Sequence, residues 1–387
     1  MNCPVCQAPL EGGPVCSRCG WDTSADPRLY PTLFSPAGMA RAGEAEAERL
    51  YAALGRLLFG SLPPEDLRAC LEAGDPAAAA RALLDRKPPS KPAVKPGNWR
   101  KNVLASGAFD QAFCRKVKTI RFRDTLSGLP ADARDLSRDQ NGSVMAYLGK
   151  GACLTVCGEG GICAPADCRS LFWDLQKLQT VEFGGCFHTE DCRNMAGMFK
   201  NCTALEAVDL RGFDTAKVTD MNSMFYGCAA LTGLDLRDFE TARVTDMSFM
   251  FCGCGRLWKL SLGSGFRTGQ TVSMRSMFNG CAALEAVELK RFDTSRVSDM
   301  SRMFASCSSL QELDVSGFNT AQVTDMNSMF KGCSSLRNLD VRGFDTARVS
   351  DMSKMFAGCV SLSRPDTSGF VIARSCSTLQ MFSDVPE

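Results

Sequence analysis

Over about half its length the chain repeats itself every 26 residues. The stretch FDTAKVTDMNSMFYGCAALTGLDLRD, from Phe213 to Asp238, returns with phenylalanine at its head at Phe187, Phe239, Phe266, Phe292, Phe318, Phe344 and Phe370. One step is 27, between Phe239 and Phe266, where Gly263, Ser264 and Gly265 lengthen a turn. One unit alone cannot bury enough apolar surface to offset the entropy lost on ordering it. The units must therefore stack and share their faces.

Two periods coexist inside a unit. Met221, Met224, Phe225 and Cys228 fall at i, i+3, i+4 and i+7, the spacing of one face of a short helix. The residue before that face is Asn194, Asp220, Asp246, Ser273, Asp299, Asp325, Asp351 or Ser377, each a favoured helix N-cap. Gly227, Gly253, Gly280, Gly332 and Gly358 would then end the helix. Leu231, Leu234 and Leu236 follow in the L-x-x-L-x-L pattern of a leucine-rich repeat strand, with Leu234 and Leu236 facing inward. The expected fold class is an α/β repeat solenoid, with a parallel sheet on one wall and short helices on the other.

A net charge of +1 gives no global attraction to nucleic acid or anionic membrane. No apolar run approaches the ~20 residues of a membrane span. The start, MNCPVCQAPLEGG, has neither the basic end nor the apolar core of a secretion signal, so a cytoplasmic location is expected. Of the 21 cysteines, Cys202, Cys228, Cys254, Cys281, Cys307, Cys333 and Cys359 share one repeat position on the inward face. Stacked one strand spacing apart, ~4.8 Å, their Cβ atoms are too far apart for disulfides and read as buried thiols.

Read in order, the chain divides into a zinc ribbon (1–33), a small helical segment (34–86), a Pro/Lys linker (87–97), a cap with a degraded coil (98–186), and the repeats with a terminal cap (187–387). Cys3, Cys6, Cys16 and Cys19 form C-P-V-C, nine residues, then C-S-R-C. Two such knuckles place four thiolates around one structural Zn2+ ion, whose binding supplies the folding energy of so small a piece. The helical segment carries Leu50, Tyr51, Leu54, Leu57 and Leu58 on one side, and its stripe reads as its own packing face. The linker KPPSKPAVKPG is expected to be extended and semi-rigid. From Arg86 to Arg123 there are eleven Lys or Arg against one acid, Asp110. Within that run Lys116, Lys118, Arg121 and Arg123 are candidate anion-binding residues, and the favoured reading of the run is solvated linker lysines plus an exposed strand edge guarded by charge. Val117–Arg123 and Val144–Val156 read as strands capping the first coil, Ile120 and Phe122 inward. Leu171, Phe172, Leu178, Val181 and Phe183 mark the degraded coil, and Pro365 breaks the last strand motif.

Catalytic chemistry finds little to use. The only histidine, His188, sits between Cys186 and Cys192, but Cys192 occupies a core repeat position held elsewhere by valine. Cys153, Cys157, Cys163 and Cys168 crowd together at spacings that match no zinc knuckle. No glycine-rich phosphate loop follows a strand, and no hydrolytic triad can be assembled. On the outward strand positions, Asp209, Asp235, Glu288, Asp314 and Asp340 form an acidic column. Arg211, Arg237, Lys290 and Arg342 lie two residues on. These columns read as a self-compensating ladder and as candidate partner-binding residues for an unidentified protein.

The units F-D-T-x-x-V-T-D-M-x-x-M-F-x-G-C-x-x-L-x-x-L-D-L resemble those of the BspA-like leucine-rich repeat family. The segments DTLSGLPADARDL, NGSVMAYL and APADCRSLF are similar to that family's lead-in. The first knuckles resemble short bacterial zinc ribbons, with Gln7 in place of a usual glycine. The resemblance implies a non-enzymatic protein-binding scaffold, in a family whose members are typically surface or secreted adhesins. This chain departs from that picture in its start and its ribbon. A nucleic-acid role through the ribbon and basic segment is a less favoured alternative, and an exported adhesin is another.

Overall fold

The computed structural model describes residues 98–386. The four knuckle cysteines, the helical segment and the linker lie outside them. In chain order the elements are α1 (Gln111–Cys114), β1 (Thr119–Arg123), β2 (Arg134–Asp135), β3 (Met145–Leu148), β4 (Cys153–Cys157), β5 (Ile162–Cys163), β6 (Thr180–Glu182), β7 (Phe187–His188), β8 (Ala207–Val208), β9 (Gly233–Leu236) and β10 (Lys259–Leu262). The described residues are thus mostly strand and turn with little helix.

The largest sheet has the order β2-β3-β4-β1-β6-β8. β1 lies between β4 and β6, parallel to both, and sets Ile120 opposite Leu154 and Val181. Ile120 and Phe122 are buried, as their alternation requires. The strand expected over Val144–Val156 is two: the chain reverses at Lys150–Ala152, where Gly151 has φ 70, and pairs β3 antiparallel to β4. The reversal falls on Gly149, Lys150 and Gly151, and those glycines with the lysine between them are its signal in the sequence. This hairpin and β1 extend the sheet of the degraded coil and cover its first edge.

The expected helix in each repeat is not there, and its hydrogen bonds show why. Met221, Ser223, Phe225 and Gly227 donate their N–H groups to the carbonyls of Asp246, Ser248, Met250 and Cys252 in the next coil. Met224, Tyr226 and Cys228 instead bond three residues back, to Met221, Ser223 and Phe225. The segment is a run of overlapping turns that pairs coil to coil. Residues 223 and 227 sit at φ 56 and 72, which an α-helix forbids. Successive four-residue turns return the chain to the same face at i, i+3, i+4 and i+7, which is also the spacing of a helical face. The glycines at 227, 253, 280, 332 and 358, with φ between 72 and 77, serve this left-handed position and are not helix ends.

The aspartates keep their capping chemistry without a helix. Asp220 Oδ1 accepts the N–H of Asn222 at 2.9 Å, and Asp325 Oδ1 that of Asn327 at 2.8 Å. These caps also pair in parallel down the stack, Asn194 with Asp220, Asp220 with Asp246, and on to Asp351 with Ser377. The leucine strands are regular in β9 and β10, paired parallel in register Leu234 to Leu260. Farther along they thin to the single bridge between Glu312 and Asn338.

Residues at equal repeat positions form columns inside the stack. Phe199, Phe225, Phe251, Phe278, Phe304, Phe330, Phe356 and Phe382 stack ring on ring, with centroids 5.4–5.9 Å apart. The seven ladder cysteines are buried. Each thiol donates to the carbonyl of a phenylalanine in the preceding coil, as Cys228 does to Phe199 at 3.1 Å and Cys254 to Phe225 at 3.2 Å. Burial pushes the Cys202 and Cys307 thiols up to about 12, and raises the others of the column in the same sense. A thiolate is the reactive form. The seven should therefore resist an aromatic disulfide reagent in the native chain at neutral pH and react fully in guanidinium, and fast native reaction would refute this packing.

Candidate functional site: the sheet face

The strand places alternate residues outward, and here the charged columns meet. Arg237 folds back on Asp235 two residues earlier: its Nη2 lies 2.7 Å from Asp235 Oδ2, while Asp235 Oδ1 also accepts the Arg237 N–H at 3.1 Å. Arg211 with Asp209 and Arg342 with Asp340 repeat the arrangement at 2.6 and 2.8 Å. The compensation thus runs within each coil. Burial would raise the Asp235 pKa, but the Arg237 guanidinium and N–H outweigh it and hold the carboxyl below its ordinary value. The hydrogen bond from Arg342 holds Asp340 at about 2.

The remaining members of the columns behave differently. Asp314 has a serine partner: its Oδ1 accepts both the N–H and the hydroxyl of Ser316, at 3.0 and 2.6 Å, which lowers its pKa. Glu288 and Lys290 are exposed. Between two coils, an open groove of about 470 Å³ is lined by Gln311, Glu312, Asp314, Arg337, Asn338 and Asp340, over Leu313 and Leu339. Glu312, Arg337 and Asn338 escape a sequence reading that follows only the two charged columns, yet their signal is present as the variable positions of L-x-x-L-x-L.

In the cap, Arg121 is paired side by side with Glu182 on β6. Lys116, Lys118 and Arg123 are exposed nearby. His188 is buried, stacks on Trp99 at 4.2 Å, and has Nδ1 3.7 Å from Glu190 Oε1. Cys192 and Cys168 are both buried, and their thiols donate to the carbonyls of Asn194 and Pro165. Among the described residues no group of three or more His, Cys, Asp or Glu is arranged to hold a metal ion. No helix among them is long and apolar enough to cross a membrane.

Residues 166–286 and 272–387 match the family described as Mycoplasma protein of unknown function, DUF285, and together span more than half of the chain. The chain belongs to the DUF285 family. This agrees with the resemblance of its units to BspA-like repeats, and the matched DUF285 region begins at the degraded coil. No curated protein matches the chain. Among solved structures, this DUF285 chain is similar to a leucine rich cell surface protein from Faecalibacterium prausnitzii A2-165. The identity is 14%, covering 64% of this chain and 97% of that one, with a TM-score of 0.23.

The cap aspartates on the opposite side give a pH prediction. Desolvation above all, then the Asp299 and Asp351 carboxylates in the flanking coils, raise the pKa of Asp325 against the pull of the Asn327 N–H and Arg275. A raised carboxyl pKa means that the folded state disfavours the charged form. Stability is then greatest while Asp325 is protonated and falls as pH rises through its folded pKa. Asparagine already caps this position at Asn194, whose Oδ1 accepts the Ala196 N–H at 2.8 Å. Asp325→Asn should raise Tm at neutral pH by about 1 to 3 °C and leave it unchanged in strong acid. A lower Tm at neutral pH would show that the charge stabilises the cap.

Proposed function

We propose that this DUF285 protein is a non-enzymatic interaction scaffold, a leucine-rich-repeat-type solenoid whose sheet face docks another protein. One observation carries the reading. The inward Phe, Met, Cys and Thr columns hold nearly the same residue in every coil, whereas the outward strand positions change: Asp235, Ser261, Glu288, Asp314 and Asp340 in one column, Arg237, Gly263, Lys290, Ser316 and Arg342 in the next. A strand wall needed only for stacking would tolerate one polar residue throughout. A wall that recognises a partner must differ along its length. The Asp–Arg rungs, fixed by bonds within each coil, offer that partner a pre-organised surface and so lower the ordering cost of association. The ribbon cysteines Cys3, Cys6, Cys16 and Cys19 are proposed to hold one structural Zn2+ ion, for which a four-thiolate set is fitted.

The test is crosslinking of the full chain in lysate of its source cells, against Glu288→Lys and Asp314→Lys on the sheet face and Arg302→Ser on the turn wall. Loss of a captured protein in the first two and its retention in the third supports the reading. An unchanged set of captured proteins in all three overturns it.

A further inference from the structure

The turn wall carries a second feature that neither packing nor the sheet-face reading uses. A groove of about 380 Å³ crosses the later coils, lined by Arg302, Lys331 and Lys354 with Asn279, Ser306 and Asn327 among its polar groups, and reaches Leu379 in the last coil. Its lining holds no carboxylate, while the cap Asp351 behind it accepts hydrogen bonds from two of the lining residues, Asn327 and Ser353. The three cations come from three successive coils, so they span two coil steps, about 10 Å. None forms a salt bridge among the described residues. Three like charges at that spacing repel weakly across solvent, and an anion that joins them removes the repulsion.

The backbone beneath favours an anion as well. In the peptide groups 220–221, 222–223, 224–225 and 226–227 the carbonyl accepts from the preceding coil and the N–H donates to the following one. Every coil from 194 to 358 repeats this, so four columns of peptide groups aim their N–H ends toward the last coil, against one neighbouring column, as from Thr219 to Arg193, that points back. There the N–H groups of Thr378, Gln380, Phe382 and Asp384 have no acceptor among the described residues. The groove lies toward that positive end.

We propose that this groove binds a multiply charged ligand through its tetrahedral oxyanions, phosphate or sulfate groups, held by Arg302, Lys331 and Lys354. The guanidinium of Arg302 suits paired contacts to such oxygens, and the two lysines act as point charges beside it.

The repeat supplies its own control substitutions. Ser276 and Ser328 occupy the position of Arg302 and Lys354 at φ 53 and 54, against 56 and 58 for the two cations. Ala305 and Ala357 occupy that of Lys331. A chain carrying Arg302→Ser, Lys331→Ala and Lys354→Ser should therefore keep its fold, which an unchanged Tm verifies. Calorimetric titration of the full chain at low ionic strength would use inorganic tripolyphosphate and sucrose octasulfate as probes. Binding of either probe, weakened about tenfold or more in the triple variant and unchanged by Lys290→Ser on the sheet face, is the expected result. The probe that binds distinguishes phosphate from sulfate. If the triple variant unfolds, Lys331→Ala alone must weaken binding for the proposal to stand. Failure of both probes to bind, or binding that survives the substitutions, overturns it and leaves the sheet-face reading untouched.

Discussion

Phe304→Ala should cost about 3 to 5 kcal/mol, the range for emptying a buried aromatic site. The ring is fully buried between Phe278, 5.4 Å away and 6° from parallel, and Phe330, 5.8 Å away and 1° from parallel. Its loss leaves two faces without a partner, and neither flanking coil can close the gap, because each is held at its spacing by four backbone bonds. In a stack, stability is close to a sum over neighbouring coils. A break at 304 should therefore uncouple the two halves, so that urea unfolding starts earlier and broadens. Phe382→Ala tests the argument at the end of the column. That ring is only half-buried, with Phe356 at 5.4 Å on one side and the Arg364 guanidinium over it at 4.8 Å. It should cost less than half as much. Equal losses at the two positions would mean that the column contributes only its area, with no coupling between coils.

The sequence discloses which residues face inward more reliably than what their backbone does. Met221, Met224, Phe225 and Cys228 are buried, as a helical face would have them, but two successive turns deliver the same four side chains to the same side. Only the left-handed residues separate the two possibilities. Several of these are Ser, Phe, Arg or Lys, as at Ser223, Phe249, Arg302 and Lys354, which betray nothing to a reading by propensity. On the strand the columns were legible, since a period of two fixes which residues point outward. Their pairing was not: a stack invites bonds between coils, whereas the Asx-type turn at Asp235 bends Arg237 back onto its own coil. Thr215 and its equivalents carry no distinct signal, because a threonine beside aspartate resembles ordinary turn chemistry.

Those threonines carry the other large expected effect. Thr294 is buried, and its Oγ1 serves both backbone groups of one residue in the next coil: it donates to the Asn319 carbonyl at 2.9 Å and accepts the Asn319 N–H at 2.8 Å. Thr189 with Asp214 and Thr215 with Glu240 do the same. Among the described residues of this column only Thr241 also bonds the next coil through its backbone N–H, to the Gly265 carbonyl, and at Thr294 the hydroxyl supplies the link. Thr294→Val keeps the shape of the side chain and removes both bonds, leaving two partly buried peptide groups unsatisfied at ~1 to 3 kcal/mol each. The expected loss is about 2 to 4 kcal/mol, with faster hydrogen exchange at Asn319 than at Glu240, whose N–H still donates to Thr215 Oγ1 at 2.8 Å. Thr294→Ser restores the hydroxyl and should recover all but roughly 1 kcal/mol, the contribution of the methyl. If valine costs no more than serine, the column is held by apolar packing alone and the hydroxyl ladder is incidental.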